Sequence, residues 1–390
     1  MNICEIYPGL ADKLHRGPDE REMISPDCYL LNDIYGDKVA ARIAQNAKGK
    51  EKLRIFIDHV VPSDCPETDA KQVKLREFAE KNGIEFEEGQ GVAYPMLLEK
   101  GLAPGQVVVG SGTHILCCGA AGGVPLCVCE EELAEGINED FVAFSIPEAY
   151  VVELRGKMKR DGEIRSLAFW LLNREIPKNA ALLFYLGADC ILDMDERAAL
   201  CTAMGTGGFR TVSFIPGALW QQYIEDKGAE QCPDLTVDLS VIHPMVEGPF
   251  GEKARPLSAI EDKPIKSVFI GGCMGGNYLD IRTAAKFMKG KRIAKNLRVL
   301  VVPNTQKVYL RAVEEGLITC LEESGVMVMN PHCSSCWGKA QGHVMDDEAA
   351  VTTGYKTCAG CLGSMKAQVY AVSVRIALEC AVTGLLGGRR

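Results

Sequence analysis

Basic side chains are in deficit in this sequence: 43 Lys and Arg stand against 52 Asp and Glu, which gives a net charge of −9. Nucleic acids and anionic membrane surfaces are bound through a basic face, so this balance disfavours both as partners. No apolar run approaches the roughly 20 residues that a membrane-spanning helix needs. The first residues lack the basic and apolar regions of a signal peptide. We therefore predict a cytoplasmic protein that binds neither nucleic acid nor membrane.

Cysteine, by contrast, is abundant. The chain has 17 cysteines, and an odd number in a protein without a signal peptide argues against a disulfide framework. We interpret several cysteines outside any motif as small buried hydrophobic side chains: Cys4, Cys28, Cys190, Cys232, Cys320 and Cys380. The cysteines that fall in motifs are the candidates for metal ligation or redox chemistry.

Three cysteines follow two predicted buried strands. The run that starts at Ser267 leads into Cys273, and the run that starts at Val326 leads into the C-x-x-C turn of Cys333 and Cys336. Apolar runs that end in Gly or Pro predict strands that continue into loops, and thiolates on such loops can converge on one inorganic centre. Thiolates select zinc, Cu(I) or iron–sulfur, although a C-x-x-C can also be a redox pair or a chance pairing.

The number of ligands separates the possible metal sites. A closed structural zinc site needs four ligands, and His332 or Cys361 would have to supply the fourth. A [4Fe–4S] cluster normally takes four cysteines. A cluster held by three leaves one iron open to water or substrate, where it can act as a Lewis acid. The spacing alone does not decide between a zinc site and an iron–sulfur cluster.

The segment from Ser267 to about Leu385 is similar to the C-terminal part of the large subunit of 3-isopropylmalate dehydratase, a member of the aconitase superfamily, and the resemblance extends over most of the chain. It is carried by Val268-Phe-Ile-Gly-Gly-Cys-Met-Gly-Gly, Asp280-Ile-Arg-Thr-Ala-Ala, Arg298-Val-Leu-Val-Val-Pro-Asn-Thr-Gln and Asn330-Pro-His-Cys-Ser-Ser-Cys-Trp-Gly. The resemblance implies that Cys273, Cys333 and Cys336 hold a [4Fe–4S] cluster with one substrate-binding iron. It also implies an α/β fold of three-layer α/β/α domains around a central cluster cleft, without the superfamily's swivelling domain.

Two acid–base motifs of the family are kept. A predicted strand delivers Asp58 and His59 to its C-terminal end, where α/β folds bind ligands, and the pair matches the family's Asp-His-x-x-Pro motif. Thr113 and His114 take the places of a family Ser and His in Gly110-Ser-Gly-Thr-His-Ile. The resemblance implies catalytic roles for these four residues. The two histidines suit proton transfer because His titrates near neutral pH. The alternatives are a solvated strand end for Asp58 and His59, and a core histidine for His114.

The substrate-binding positions depart from the family. Tyr94 stands where the family has a His, and Tyr donates a hydrogen bond but is a poor proton shuttle. Thr202 and Thr206 replace an Asn and a Glu on a predicted helix, with plain packing as the alternative. Lys356 and Cys361 replace two arginines that clamp substrate carboxylates. The resemblance implies substrate binding by Tyr94, Thr202, Thr206 and Lys356, and a substrate other than isopropylmalate or citrate.

Four further cysteines keep open roles. Cys117 and Cys118 lie in a Gly-rich turn where the family has no thiols, either close to the cluster or packed in the core. Cys358 and Cys361 form a second C-x-x-C, which adds a ligand, forms a redox pair or packs.

Length and a loop-rich connection before residue 263 predict three parts. These are an N-terminal α/β domain at 1–160, a second α/β domain with its linker at 161–263, and a C-terminal α/β domain with the cluster cysteines at 264–390. The first hypothesis for function is a [4Fe–4S] hydro-lyase that acts on a hydroxy-acid-like small molecule. The second is cluster-dependent sulfur transfer or desulfidation, and the third is a non-catalytic metal-binding subunit. The resemblance also implies a separate small subunit that carries the swivelling domain.

Overall fold

The computed structural model describes residues 1–17, 20–159, 163–227, 233–273, 275–333, 336, 338, 341–354 and 357–387. In these ranges the chain forms three main sheets with helices around them, which confirms the predicted α/β class. The central strands are continuous apolar runs because parallel strands are covered on both faces. Every residue of the strand Ser267–Gly271, for example, is buried. Each helix in these ranges is too short or too polar to cross a membrane.

The N-terminal part of the chain is built on a five-stranded parallel sheet. Its strands are β3 (Cys28–Asn32), β4 (Leu53–Ile57), β5 (Glu85–Glu88), β6 (Val107–Ser111) and β7 (Val124–Val128), in the order β5-β4-β3-β6-β7. The helices are α1 (Ile3–Ile6), α2 (Gly36–Ala40), α3 (Pro66–Asn82), α4 (Ala93–Glu99) and α5 (Glu130–Glu139), with 3₁₀ segments at Pro8–Lys13, Lys50–Lys52 and Thr113–Ala121. A small antiparallel sheet contains β1 (Leu14–Arg16), β2 (Glu22–Ile24) and β8 (Val142–Ala143). Because the five strands are parallel, the loops after β3, β4 and β6 leave the sheet at one edge.

The second sheet has four parallel strands. They are β9 (Ala149–Arg155), β10 (Ala181–Leu186), β11 (Val212–Phe214) and β12 (Leu235–Asp238), in the order β11-β10-β9-β12. The helices of this part are α6 (Ile164–Leu172), α7 (Met194–Met204) and α8 (Gly217–Lys227), with 3₁₀ segments at Gly205–Gly207 and Leu239–Val241.

The third sheet has seven strands, of which the central ones are parallel. It contains β13 (Met245–Glu247), β14 (Arg255–Pro256), β16 (Ser267–Gly271), β17 (Arg298–Val302), β18 (Met327–Val328), β19 (Ala349–Thr352) and β20 (Gln368–Val372), in the order β14-β13-β20-β19-β16-β17-β18. A short pair joins β15 (Lys263–Pro264) to β21 (Leu385–Leu386). The helices are α9 (Tyr278–Met288), α10 (Gln306–Glu314), α11 (Leu317–Glu323) and α12 (Val374–Thr383), with a 3₁₀ turn at Leu257–Ala259.

One hydrophobic core joins the first two sheets and reaches the third. Phe56 of β4 and Phe184 of β10 belong to the same cluster of buried side chains. That cluster also contains three cysteines on loops of the third sheet: Cys273, Cys333 and Cys336. The predicted domain boundaries near residues 160 and 263 stay a prediction. Strand β9, which precedes the first boundary, pairs into the second sheet, and β13, which precedes the second boundary, pairs into the third.

The loop between β16 and α9 depends on a glycine that approaches the neighbouring strand closely. Gly276 has φ +70°, and a Cβ at this position would lie 2.0 Å from the carbonyl oxygen of Val302. We expect Gly276→Ala to lower the free energy of unfolding by about 2 kcal/mol or more, because strain and a backbone clash add. Gly290→Ala is the matched control, since Gly290 has φ +73° with open space around it. Urea denaturation of both variants checks this, and equal losses would contradict a role for the close approach.

Candidate functional site

A cavity of about 500 Å³ opens at the edge where the loops after β3, β4 and β6 emerge. Two groups of side chains meet in it. The first comes from the N-terminal sheet, and the second from the C-x-x-C loop of the third sheet. The lining includes Asn32, His59, Tyr94, His114, Cys333 and Cys336. The topology therefore brings acid–base groups and thiols into one space.

The His59 ring is held between two carboxylates. Its Nδ1 lies 3.0 Å from Asp33 Oδ1 and 2.6 Å from Asp58 Oδ1, and all three residues are buried. Asp33 also accepts the backbone N–H of His59 at 3.2 Å, and Asp58 accepts the backbone N–H of Ala93 at 2.9 Å. These contacts fix the ring, and its Nε2 edge is the one left to reach a molecule in the cavity.

Electrostatics favour a charged ring at this position. Burial lowers the pKa of His59, but the charges of Asp58 and Cys333 and hydrogen bonds with Asp33 and Asp58 raise it well above its ordinary value. For Asp33, burial raises the pKa, while the hydrogen bond and charge of His59 bring it below its ordinary value. These contributions favour a protonated ring paired with carboxylates.

The raised pKa of His59 predicts a pH dependence of stability. A group with a raised folded-state pKa stabilises fully below its unfolded pKa, about 6.5 for His, and that contribution is lost as the pH rises through the folded value. We expect the stability advantage of the wild type over His59→Gln to shrink from about pH 6.5 upward. Urea unfolding of both proteins across neutral and alkaline pH measures this advantage. An advantage that stays constant or grows would contradict the imidazolium.

All three candidate thiols are buried, and two of them, Cys333 and Cys336, line the cavity. Cys273 Sγ lies 3.5 Å from Nε2 of His114. A hydrogen bond with Cys273, together with burial, raises the pKa of the Cys333 thiol well above its ordinary value. Metal binding needs deprotonated thiols, so a metal bound by these cysteines would displace their protons. Cys336 lies in the same turn and packs against Gly354. A Cβ on Gly354 would lie 3.7 Å from the Sγ of Cys336.

Backbone hydrogen bonds fix the two halves of the site to each other. The N–H of Cys333 donates to the carbonyl oxygen of Asp58 at 2.7 Å, and the N–H of Val92 donates to that of Asn304 at 2.7 Å. The side chain of Asn330 donates to the carbonyl oxygen of Val61 at 2.8 Å. The end of β4 and the C-x-x-C loop are therefore in direct contact.

Comparison with known proteins identifies the family of this chain. Residues 250–384 match the model of the aconitase family (aconitate hydratase). The homoaconitase large subunit of Thermus thermophilus is 30% identical over 351 residues, which cover 86% of this chain and 84% of that protein. A 3-isopropylmalate dehydratase large subunit of Clostridium botulinum is 31% identical over 357 residues, which cover 86% and 85% of the two chains. The chain belongs to the aconitase family.

A solved structure supports the same fold. The holo-form of aconitase X from Thermococcus kodakaraensis superposes with a TM-score of 0.56 at 14% identity, over 86% of this chain and 84% of that one. At that identity the likeness concerns the fold alone. The predicted family and fold are confirmed, and with them the prediction of a lyase of the hydro-lyase type.

The structure brings most of the predicted site residues of this aconitase-family chain to the cavity. Tyr94 is buried, its hydroxyl accepts a hydrogen bond from Asn32 Nδ2 at 3.2 Å, and its ring meets that of His114 edge to face. Thr113 and His114 are half-buried at the start of the 3₁₀ segment and line the cavity. Their catalytic and binding roles stay predictions.

Two predicted substrate-binding residues, Thr202 and Thr206, are not among the described residues that line the cavity. Thr202 is fully buried in α7, and its hydroxyl donates to the carbonyl oxygen of Ala198 at 2.7 Å. Thr206 is exposed just after that helix and donates to Ala203 at 2.8 Å. Both hydroxyls thus bond to the backbone of their own segment, and the burial of Thr202 agrees with the packing alternative. Lys356 lies outside the described residues.

Arg165 on α6 was not among the predicted site residues. Its guanidinium is buried and donates to the carbonyl oxygens of Thr353 and Gly354. Burial lowers its pKa to about 10, against the opposing charges of Glu247, Cys273, Asp280 and Cys336. A cation therefore lies beside two candidate ligands. The available signal was a single charge in an otherwise uncharged helix, Ile164-Arg-Ser-Leu-Ala-Phe-Trp-Leu-Leu.

Asp33 was not among the predicted site residues. It is instead the second carboxylate on His59. His332, considered as a fourth zinc ligand, places Nδ1 at 2.7 Å from the carbonyl oxygen of Asn330. These assignments depend on contacts between segments, which a single sequence does not display.

Proposed function

We propose that this chain is a [4Fe–4S]-dependent hydro-lyase that acts on a hydroxy-acid-like small molecule other than isopropylmalate or citrate. One observation carries the proposal: the buried thiols of Cys333 and Cys336 line a cavity whose wall holds a paired histidine, and the thiol of Cys273 lies beside that of Cys333. The donor set is all sulfur, which favours iron–sulfur over a hard cation. Cys273, Cys333 and Cys336 would hold the cluster.

A cluster held by three cysteines supplies a Lewis-acidic iron that can bind a substrate hydroxyl. The residues of the chain supply the proton chemistry. His59, as an imidazolium fixed at Nδ1 by Asp33 and Asp58, donates a proton from Nε2 to the departing hydroxyl. The carboxylates stabilise the charged ring before transfer and limit its movement. His114 contacts Cys273 and orients that thiol, and Tyr94 closes the wall beside it.

The charge of the cavity supports a substrate with fewer carboxylates than citrate. Among the described residues that line it, none is Lys or Arg, while Glu130 and Glu131 lie at its rim. Arg42 is engaged with Glu131 at 2.7 Å. A bidentate carboxylate clamp needs an arginine fork aimed into the site. A single carboxylate, or none, fits this lining better.

A separate small subunit completes the proposal. The relatives named above are designated large subunits, which implies a separate small subunit. We place the group that removes the carbon-bound proton on such a partner, which would close over the cavity and exclude water.

Sulfur transfer is the weaker alternative. It needs thiolates close to the cluster, because the thiolate is the nucleophile. Burial raises the pKa of Cys117 to about 12 and that of Cys118 well above its ordinary value. Both are therefore protonated at neutral pH and suit packing in the core, where they lie.

A deuterium-exchange screen tests the function. The protein is reconstituted anaerobically with iron and sulfide, with and without its small subunit, and incubated with mono-, di- and tricarboxylic hydroxy acids in D₂O. We expect dehydration and deuterium incorporation with a hydroxy acid of low carboxylate count, and none with Cys336→Ala. Preferred turnover of citrate or isopropylmalate would overturn the proposed substrate class, and inactivity of the cluster-loaded pair on every acid would overturn the function.

A further inference from the structure

The second C-x-x-C forms a close pair of thiols. The Sγ atoms of Cys358 and Cys361 lie 2.8 Å apart, and the N–H of Cys361 donates to the carbonyl oxygen of Cys358 at 3.1 Å. Cys358 is exposed, whereas Cys361 is buried with 4% of its surface accessible. One thiol can thus meet a molecule from solvent, and the other lies directly behind it.

The turn that carries the pair is held at both ends. Thr357, just before it, is buried and donates to Glu247 Oε1 at 3.4 Å. Just after it, Leu362 accepts the N–H of Val344 at 2.8 Å, and Ser364 donates its N–H to the carbonyl oxygen of Val344 at 2.9 Å. Because the backbone is fixed on both sides, the Cα positions of the two cysteines stay close to each other. Only a small side-chain rotation separates the two sulfurs from the S–S bond length of about 2.05 Å.

The pair is separate from the cavity described above. Neither Cys358 nor Cys361 lines it. The turn instead backs onto the segment after the first C-x-x-C, where a Cβ on Gly338 would lie 2.3 Å from the carbonyl oxygen of Gly360. The hydro-lyase proposal uses neither thiol.

The surroundings favour redox chemistry over metal binding. A thiolate metal site needs three or four ligands. Within the described part of the chain, no third His, Cys, Asp or Glu joins this pair to form a group of ligand atoms within 4.8 Å of one another. Two thiols in a C-x-x-C turn, one exposed and one buried, are the arrangement of a nucleophilic and a resolving cysteine.

We propose that Cys358 and Cys361 form a dithiol–disulfide couple that reduces low-molecular-weight disulfides. The Cys358 thiolate attacks one sulfur of the small disulfide, a mixed disulfide forms, and the first small thiolate leaves. Cys361 then loses its proton, attacks the Cys358 sulfur and expels the second small thiolate. The protein loses two electrons to the small disulfide, and the two departing thiolates take up the two protons. This activity goes beyond the proposed hydro-lyase reaction and does not depend on it.

Peptide mapping after reaction with oxidised glutathione tests this site. The full-length protein is reduced, freed of reductant under anaerobic conditions, exposed to oxidised glutathione, quenched with acid and alkylated. In the wild type we expect an internal disulfide between Cys358 and Cys361, with two glutathione molecules released per disulfide formed. Cys361→Ser should accumulate a stable glutathione adduct on Cys358, because the resolving thiol is gone. Cys358→Ser should leave Cys361 unmodified, because it is buried.

Cys129 serves as the internal reference in every sample. It is also exposed, and we expect it to stop at a glutathione adduct. The wild-type map decides the outcome even where a variant folds poorly. A stable adduct on wild-type Cys358 like that on Cys129, or an unmodified pair, would overturn the proposal. Stoichiometric zinc in the purified wild type that is lost in Cys361→Ser would also overturn it, by making the pair a metal ligand.

Discussion

Replacing His59 by glutamine should lower kcat/KM by about 10²–10⁴-fold, the range expected when a positioned proton donor is removed. Glutamine keeps a hydrogen-bonding side chain of similar reach but has no proton to give. The loss should fall on kcat, because donation to the departing hydroxyl stabilises the transition state and not the bound substrate. Steady-state dehydration of the hydroxy acid that the screen identifies measures it, with iron and sulfide content determined on the same samples.

The control for this change is another histidine. His243 is exposed in the loop before β13 and does not line the cavity, so His243→Gln should retain wild-type turnover. A His59→Gln variant that keeps both its cluster content and its kcat would show that the ring is structural. Asp33→Asn should reduce kcat in the same direction by a smaller factor, because it weakens the imidazolium without removing the ring.

Arg165→Met should lower the free energy of unfolding by about 3–5 kcal/mol, the cost of removing one partner from a buried charged network. The guanidinium donates hydrogen bonds to the carbonyl oxygens of Thr353 and Gly354. It also interacts with Glu247: burial raises the pKa of this carboxyl above its ordinary value, and the charge of Arg165 opposes that rise. Methionine fills similar space but leaves those oxygens without a donor. Urea denaturation of the apo-proteins measures the loss.

The second consequence of Arg165→Met concerns the thiol loops. Thr353 accepts the N–H of Gly271 at 3.0 Å through its hydroxyl, and Gly354 packs against Cys336. Loosening these two residues should speed the loss of bound iron. Arg174→Met is the matched control near the end of the same helix, since Arg174 is exposed and stacks on Trp170 at 3.9 Å. Arg174→Met should lower the free energy of unfolding by only about 0.5–1 kcal/mol. Equal losses of stability in both variants would contradict the role given to Arg165.

Much of the fold was accessible from sequence because apolar runs and glycines mark strand ends. The run before Asp58 predicted β4, and its parallel neighbours carry the loops that form the cavity. The sequence of the run after Ala180 fits both a strand and a buried helix, because a short apolar segment has no distinguishing period. Its pairing with β9 and β11 makes it β10.

The candidate site was less predictable because tertiary contacts assign its roles. Asp33 meets His59 across two strands, and Arg165 reaches loops almost two hundred positions away. Thr202 is a residue whose position in a family motif could be identified from sequence. The orientation of α7, which buries its side chain in the core, could not. The three candidate cysteines were identified from spacing and resemblance, because the motifs that carry them are local in the sequence.

Iron and acid-labile sulfide measured on anaerobically prepared protein test the central claim most directly. The samples are the wild type, Cys273→Ala, and Cys320→Ala as a thiol control whose Sγ contacts Ala285 on a helix of the third sheet. The account predicts about four iron and four sulfide per chain in the wild type and in Cys320→Ala, with nearly all of both lost from Cys273→Ala. A wild type that binds zinc in place of iron, or a Cys273→Ala variant with unchanged iron and sulfide, would contradict it.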